Sequence, residues 1–141
     1  MSAGRKLLVP IDGSANSLRA LAFVIKRMKK DRRLRMCLLN VQPPLPHSLF
    51  VTRTMIAEYH DSKSKEALAR SREILTKNHV HAEIIVRIGQ TAETIVKFAS
   101  RRHCEEIVMG TRGLGTLKGL LLGSITTRVI HLARVPVTVV P

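Results

Sequence analysis

The stretch from Glu105 to Ile130 reads EEIVMGTRGLGTLKGLLLGSITTRVI, and it decides the fold. A short apolar run, residues 107–109, meets a glycine-rich loop, which ends at Gly123-Ser124, where a helical pattern begins. The predicted order is therefore strand, loop and helix. In an open parallel sheet such a loop leaves the carboxyl end of a strand, where the ligands of these sheets bind. The following helix presents unpaired N–H groups and the positive end of its dipole, which favours a phosphate group.

The composition of this loop also suits an anion. Glycines let the backbone approach an anion closely and adopt positive φ angles. Ser124 and Thr126 add hydroxyl donors, and Arg112 and Lys118 add positive charge. The loop lacks the GxxxxGK[ST] pattern of a Walker P-loop, and its glycines do not have the GxGxxG spacing of a dinucleotide fingerprint. The pattern predicts a phosphate site of another kind.

The rest of the chain alternates strand and helix patterns. Strands are predicted over residues 7–11, 35–41, 82–88, 107–109 and 136–140. A first helix is marked by apolar residues between 18 and 25, and further helices are predicted over 54–78, 91–102 and 124–133. This alternation indicates an α/β protein with an open, five-stranded parallel sheet, helices on both faces and right-handed crossovers. Residues 1–141 are expected to form one domain.

Two of these helices carry more detailed expectations. Thr91 is predicted to cap the third helix. The long second helix is expected to turn Ile56, Tyr59, Ala67 and Leu75 inward, together with Ile74.

The composition, with 45% hydrophobic and 24% charged residues, is ordinary for a globular domain. No apolar run approaches the roughly 18 residues of a membrane helix, and the N-terminus lacks the features of a signal peptide. Cys37 and Cys104 are expected to be reduced thiols, so the expected location is the cytoplasm. The motifs His103-Cys104 and His79-x-His81 lack the ligand count of a zinc site, so no metal site is predicted.

The charge balance is unusual, because 24 Lys and Arg residues face 10 acidic ones, giving a net charge of +14 and a pI of about 11.1. The excess is concentrated in residues 26–35, where only Asp31 opposes seven cations. One interpretation is a helix C-terminus whose cations complement the dipole and run into a solvated turn. The other is a non-specific patch for anions or nucleic acid. With one Tyr, three Phe and no Trp, few side chains are available for stacking on bases.

The loop matches Gly110-x2-Gly113-x9-Gly123-Ser124, which resembles the nucleotide-binding signature of the universal stress protein family. The resemblance extends along nearly the whole chain. The start, KLLVPIDGS at residues 6–14, is similar to the first strand of that family and its aspartate. LLNV at 38–41 is similar to the second strand, and VPVTVVP at 135–141 to the closing strand.

The resemblance implies a Rossmann-like fold of the adenine nucleotide alpha hydrolase-like type, with strand order 3-2-1-4-5 and a switch point between strands 1 and 4. It also implies an ATP site, with Mg²⁺ carried through the phosphates. Gly113, Gly123, Ser124 and the start of the last helix would hold the phosphates, while Asp12 and the backbone of Val41 would face the ribose and adenine. The complete set of implied binding residues is Pro10, Ile11, Asp12, Val41, Met109, Gly110, Arg112, Gly113, Gly123, Ser124, Ile125 and Thr126. Asp12 also has an alternative interpretation as a turn residue that bonds its own backbone.

Catalytic residues are not evident, since Asp12 is the one carboxylate that the motifs place near the loop and no Ser-His-Asp or paired-carboxylate arrangement appears. The prediction is a regulatory, stress-response nucleotide-binding module with at most slow ATP hydrolysis. The alternatives are an interaction module that does not use nucleotide, and an anion or nucleic-acid binder acting through residues 26–35. The resemblance further implies a two-fold homodimer through the last strand, Val137–Val140, whose β-branched residues would otherwise form an exposed edge.

Overall fold

A computed structural model describes residues 4–46, 48, 50–111 and 122–141 of the chain. Within them, five strands alternate with four helices, as predicted. The strands are β1 (Arg5–Pro10), β2 (Leu34–Gln42), β3 (Glu83–Ile88), β4 (Glu106–Gly110) and β5 (Val137–Val140). The helices are α1 (Ala15–Lys30), α2 (Arg53–Lys77), α3 (Thr91–Arg101) and α4 (Ser124–Leu132).

All strand pairs are parallel, and the order in the sheet is β3-β2-β1-β4-β5. The predicted order is confirmed. The chain winds outward from β1 to β3 and then crosses back to β4, so the direction of winding reverses between β1 and β4. The loops after these two strands therefore diverge at their carboxyl ends and leave a crevice between them.

The helices cover both faces of the sheet, as predicted. On one face α1 and α2 pack on side chains such as Leu7, Val9 and Leu38, which are fully buried. On the other face α3 and α4 pack on Leu8 and Ile107, which are also fully buried. Because β1 is buried on both faces, it reads as a continuous apolar run rather than an alternating one.

The inner face of α2 differs from the prediction. Tyr59 is 44% exposed, whereas the buried positions of this helix are His60, Ser64, Leu68, Ser71 and Leu75. Of the residues predicted to turn inward, Leu75 is buried and Ile56, Ala67 and Ile74 are half-buried, so only Tyr59 was misplaced. Three of the five buried side chains are polar, which an apolar pattern does not indicate.

The start of α3 also differs from the prediction. Gln90 occupies the N-cap position without a side-chain capping bond, and Thr91 is already the first helical residue. Thr91 therefore does not cap the helix, and its side chain lines a cleft at the end of the sheet.

Both cysteines are free, as predicted, and both are buried. Burial raises the pKa of Cys37 to about 11 and also raises the pKa of Cys104. Both therefore remain protonated thiols at neutral pH and are poor nucleophiles. Among the described residues, no helix is long and apolar enough to cross a membrane.

Candidate functional site

A cleft of about 250 Å³ opens at the carboxyl ends of β1, β2 and β4, at the point where the winding of the sheet reverses. Its volume is close to the lower end of the range for small-molecule sites, about 300 to 1,000 Å³. The lining consists of apolar side chains with a few polar groups, and its members are Pro10, Ile11, Asp12, Ser17, Leu39, Val41, Pro43, Thr91, Ile95, Met109, Gly110, Ile125 and Thr126.

On the β1 side, Asp12 makes the turn contact of its alternative interpretation and also lines the cleft. Its Oδ1 accepts a hydrogen bond from the backbone N–H of Ser14 at 2.9 Å, which closes a turn. Gly13 within this turn has a φ of +86°, a value that side-chain-bearing residues resist. The carboxylate is nevertheless half-buried at the cleft, and Oδ2 makes no hydrogen bond within the described residues. One oxygen thus holds the turn, and the other is available to a ligand.

On the β4 side, Gly110 lets two backbone segments approach closely. A Cβ at this position would lie 2.6 Å from the carbonyl oxygen of Asn16 and 2.7 Å from its carbonyl carbon, both in the first turn of α1. The glycine is therefore required by the contact between β4 and α1, and not by a left-handed backbone. This contact sets the depth of the cleft between β1 and β4.

Helix α4 begins at the mouth of the cleft. Gly123 is its N-cap, offers no side-chain capping bond, and donates its own N–H to the carbonyl of Thr111 at 2.7 Å. Ser124 and Ile125, which open the helix, are exposed. The first turn of α4 thus presents backbone N–H groups and the positive end of the helix dipole at this edge of the sheet.

The hydroxyl of Thr126 has a different role from the predicted one. It is buried and donates a hydrogen bond to the carbonyl of Gly110 at 3.0 Å, so its proton is not available to a phosphate. The bond ties the first turn of α4 to the last residue of β4. Thr126 lines the cleft with the rest of its side chain.

Beneath the β2 side lies a buried polar chain that sequence reasoning missed. The Asn40 side-chain amide donates to the carbonyl of Ile11 at 2.7 Å, and Gln42 donates to the side-chain oxygen of Asn40 at 2.6 Å. The Gln42 carbonyl in turn accepts from the N–H of Gly89 at 3.0 Å. These bonds join the ends of β1, β2 and β3, and they fix the rim on which Asp12 sits.

The structure brings together eight of the twelve predicted binding residues as cleft lining, namely Pro10, Ile11, Asp12, Val41, Met109, Gly110, Ile125 and Thr126. Gly123 and Ser124 lie at the start of α4 without lining the cleft itself. Arg112 and Gly113 lie outside the described residues.

Five further lining residues were not predicted, and they are Ser17, Leu39, Pro43, Thr91 and Ile95. Thr91 had been predicted only as a helix cap. Ile95 belongs to an apolar stripe, whose part in a cleft becomes visible only when α3 is placed on the sheet.

A larger groove, of about 670 Å³, lies elsewhere, between α3 and the segment after α4. Its floor includes Ile107 and Val135, and its rim carries Lys97, Arg101 and Arg134. This groove is away from the carboxyl ends of the strands, where an open α/β sheet binds its ligands, so the smaller cleft is the better candidate. Among the described residues no group of three or more His, Cys, Asp or Glu side chains is placed to hold a metal ion.

An open parallel sheet of this order, with a cleft at its switch point, defines a Rossmann-like α/β protein. The profile of the Universal stress protein family matches residues 4–141. The chain belongs to the universal stress protein family. It is 30% identical to Universal stress protein YxiE of Bacillus subtilis, over 96% of this chain and 97% of that protein.

Solved structures share the fold at lower identity. Universal stress protein UspA from Lactobacillus plantarum superposes with a TM-score of 0.84, at 18% identity and with full coverage of both chains. The universal stress protein from Archaeoglobus fulgidus, solved in complex with dAMP, has a TM-score of 0.68 at 21% identity and covers 99% of this chain and 100% of its own.

Proposed function

We propose that the chain binds an adenine nucleotide in the cleft between β1 and β4, and that this nucleotide is ATP. The observation that carries this proposal is the convergence of five separate stretches of the chain on a single crevice at the switch point of the sheet. These stretches are residues 10–17, 39–43, 91–95, 109–110 and 125–126. The dAMP complex of the Archaeoglobus fulgidus protein supports the same class of ligand.

The residues of the cleft fit the parts of such a ligand. Leu39, Ile95 and Ile125 offer an apolar slot for the base, and the Asp12 carboxylate is a strong acceptor for ribose hydroxyls. The start of α4 lies beside the crevice, and its N–H groups and dipole favour phosphate oxygens. Mg²⁺ would be held mainly by the phosphates rather than by a protein cage.

The role proposed for the bound nucleotide is regulatory. Asp12 is the one titratable side chain among the described lining residues, and a hydrolase needs both a positioned base and a clamp on the γ-phosphate. His131 lies in the last turn of α4 and is exposed, away from the cleft at the start of that helix. At most slow hydrolysis is expected. The proposal places the protein in the cytoplasm, which its two free thiols support.

Calorimetric titration with ATP and Mg²⁺ should show binding that the Asp12→Asn variant weakens by about 10- to 100-fold, as for the loss of one hydrogen bond to a charged group. The variant keeps an oxygen that can accept from the N–H of Ser14, so the turn is retained. It replaces the free carboxylate oxygen by an N–H₂ group that cannot accept from ribose. Asp61→Asn on the exposed face of α2 serves as the control for the loss of one negative charge.

Nucleotide-free protein that binds no adenine nucleotide at millimolar concentration would contradict the proposal. Equal affinity in the wild type and Asp12→Asn would instead place the ribose elsewhere. Release of inorganic phosphate, followed in the same samples, separates binding from turnover.

We also propose that the regulatory unit is a homodimer formed by β5. This strand lies at the edge of the sheet, and all four of its residues are half-buried. The Ile107 N–H bonds the carbonyl of Pro136. In a parallel ladder with this register, the N–H of Thr138 then points toward β4, and those of Val137 and Val139 point outward. Two such edges can pair through their outward groups.

Val139→Pro should convert the dimer to a monomer in analytical ultracentrifugation, because it removes an outward donor and leaves the ladder with β4 intact. Removing β5 altogether is a poorer test, since Val137 and Val140 pack on the two cores. Val139→Thr keeps the donor and should remain dimeric. A dimer that survives in Val139→Pro would move the interface to another surface.

A further inference from the structure

Ten of the 24 Lys and Arg side chains lie at the end of the molecule opposite the cleft. We define the amino-end face as the surface formed by the amino ends of the strands and the C-termini of α1, α2 and α3. Its cationic side chains are Arg5, Lys6, Lys29, Lys30, Arg32, Arg33, Arg35, Lys77, Arg101 and Arg102.

Hydrogen bonds join the separate segments of this face. The Lys29 Nζ donates to the side chain of Asn78, the C-cap of α2, at 2.9 Å. The Lys6 Nζ donates to the carbonyl of Arg102, the C-cap of α3, at 3.3 Å. The N–H of Arg5 donates to the carbonyl of Arg33 at 3.0 Å. The basic run at residues 26–35 is thus one part of a continuous surface and not an isolated turn.

The carboxylates near this face are already paired. Glu105 pairs with Arg5 at 2.8 Å, Glu83 with Arg102 at 3.0 Å, and Asp31 with Arg33 at 3.2 Å. Glu106 pairs with Arg27, a residue in the last turn of α1 that is not among the cations of this face.

The remaining cations at the α1–β2 corner have no acidic partner. In the part of the chain that the structure describes, which contains every Asp and Glu, no carboxylate lies within ion-pair distance of Lys29, Lys30, Arg32 or Arg35. The C-terminus of α1 contributes only about −0.5 elementary charge, which offsets a fraction of this excess. The α1 dipole therefore offsets only part of this charge, and the remainder is left to solvent or to an anionic partner.

The chemical groups on the amino-end face indicate which class of partner it can bind. Its exposed groups are guanidinium and ammonium groups, which bind phosphate oxygens. None of the large hydrophobic side chains exposed in the described residues belongs to it, so it offers no aromatic platform for unpaired bases and no apolar wedge for a bilayer. A rigid row of phosphates is the polyanion that this surface fits.

We propose that the amino-end face binds the phosphate backbone of duplex DNA without sequence preference. Strand β1, with six residues at about 3.3 Å each, separates this face from the cleft by about 20 Å. Nucleotide and DNA therefore occupy opposite ends of the sheet and do not compete. The proposal does not depend on nucleotide binding.

The experiment is a fluorescence-anisotropy titration of a random-sequence 30-base-pair DNA duplex at several KCl concentrations. The quadruple variant Lys29→Gln, Lys30→Gln, Arg32→Gln, Arg35→Gln should bind at least about tenfold more weakly at 50 mM KCl. Its plot of log K against log [KCl] should be shallower by about 3.6, since each of four lost phosphate contacts contributes about 0.9. The matched control, Lys63→Gln, Lys65→Gln, Arg70→Gln, Arg72→Gln on α2, removes the same charge and should keep the wild-type slope.

Equal losses in the two quadruple variants would overturn the proposal, because only net charge would then matter. Absence of DNA binding by the wild type at 50 mM KCl would overturn it too, as would capture by phosphatidylserine vesicles in place of DNA. The double variant Lys30→Gln, Arg32→Gln, at two exposed positions, should show about half of the change in slope and provides the test if the quadruple variant does not fold. Saturating ATP should leave the affinity for DNA unchanged.

Discussion

Gly110→Ala should lower the free energy of unfolding by about 3 kcal/mol, the upper range for an overpacked site. The added Cβ would lie 2.6 and 2.7 Å from the carbonyl oxygen and carbon of Asn16. These are backbone atoms in the first turn of α1, and no rotamer change moves them. The helix must shift away from β4 as a whole, which also strains the hydrogen bond from Thr126 to the Gly110 carbonyl. Urea denaturation of the two proteins measures the difference.

Gly89→Ala is the matched control. Its Cβ would meet the Thr94 side-chain oxygen at 2.5 Å, and that side chain can rotate away. The expected loss is below about 1 kcal/mol, within the range of tolerated surface substitutions. Asn16→Gly should not rescue Gly110→Ala, since the nearest clashing atoms belong to the backbone. If both glycine variants lose the same stability, the contact between β4 and α1 is not the reason that glycine occupies position 110.

Arg27→Met should lower the free energy of unfolding by about 3 kcal/mol at neutral pH, as for one partner removed from a buried ion pair. Arg27 makes two hydrogen bonds to Glu106, at 2.8 and 3.2 Å, and Thr138 donates a third at 2.6 Å. The Glu106 side chain is only 12% exposed. This network joins α1, β4 and β5. Without Arg27, the carboxylate of Glu106 would remain charged, poorly solvated and without its ion-pair partner. Methionine keeps the length of the aliphatic side chain but also loses the contact of the guanidinium with the Phe23 ring, whose centroid lies 5.8 Å from Cζ of Arg27.

The pH dependence of this loss has a defined sign. Burial by itself raises the pKa of Glu106, but hydrogen bonds from Arg27 and Thr138 outweigh it, and the net pKa lies below the ordinary value. A carboxylate whose folded-state pKa is lowered stabilises the fold above its unfolded pKa, about 4.3. That contribution disappears as the pH falls through the folded-state pKa. The difference between wild type and Arg27→Met should therefore be full at pH 7 and smaller below about pH 4.

Two controls separate the effect of the unpaired Glu106 charge from the effect of lost packing. Arg5→Met breaks the ion pair with Glu105, in which the two side chains are 48% and 52% exposed, and should leave the free energy of unfolding almost unchanged because solvent screens the pair. Glu106→Gln should destabilise the wild type but not Arg27→Met, because it removes the charge that Arg27 would have neutralised. A loss in Arg27→Met that is independent of pH and of Glu106→Gln would mean that the effect comes from packing alone.

The cations of the basic run at residues 26–35 do not all lie on one surface of the folded protein. The run at residues 26–35 reads as a single block of charge, yet Arg27 turns back to Glu106 and Arg33 pairs with Asp31. Lys29, Lys30, Arg32 and Arg35 stay on the amino-end face, which Arg5, Lys6 and Arg102 extend from distant segments. The interpretation as a patch for anions or nucleic acid named only the local part of this face, because the segments that extend it depend on which strands and helices end beside one another.

The sequence by itself determined the alternation of strands and helices, since buried parallel strands are continuous apolar runs and glycines mark the exits from them. The strand order followed from the family resemblance, and the structure agrees with it. Eight cleft residues could be named in advance because the family resemblance covers the strand ends and the loop motif to which they belong.

Tertiary structure alone decided the features that depend on contacts between distant segments. The packing of Asn16 on Gly110, the bond from Asn40 to Ile11 and the buried polar stripe of α2 have no local pattern. The same holds for Thr126, whose hydroxyl bonds the end of β4 and is thereby withdrawn from the ligand. Hydrophobic periodicity records which face of an element is apolar, whereas the partner of a buried polar group is fixed only when two elements meet.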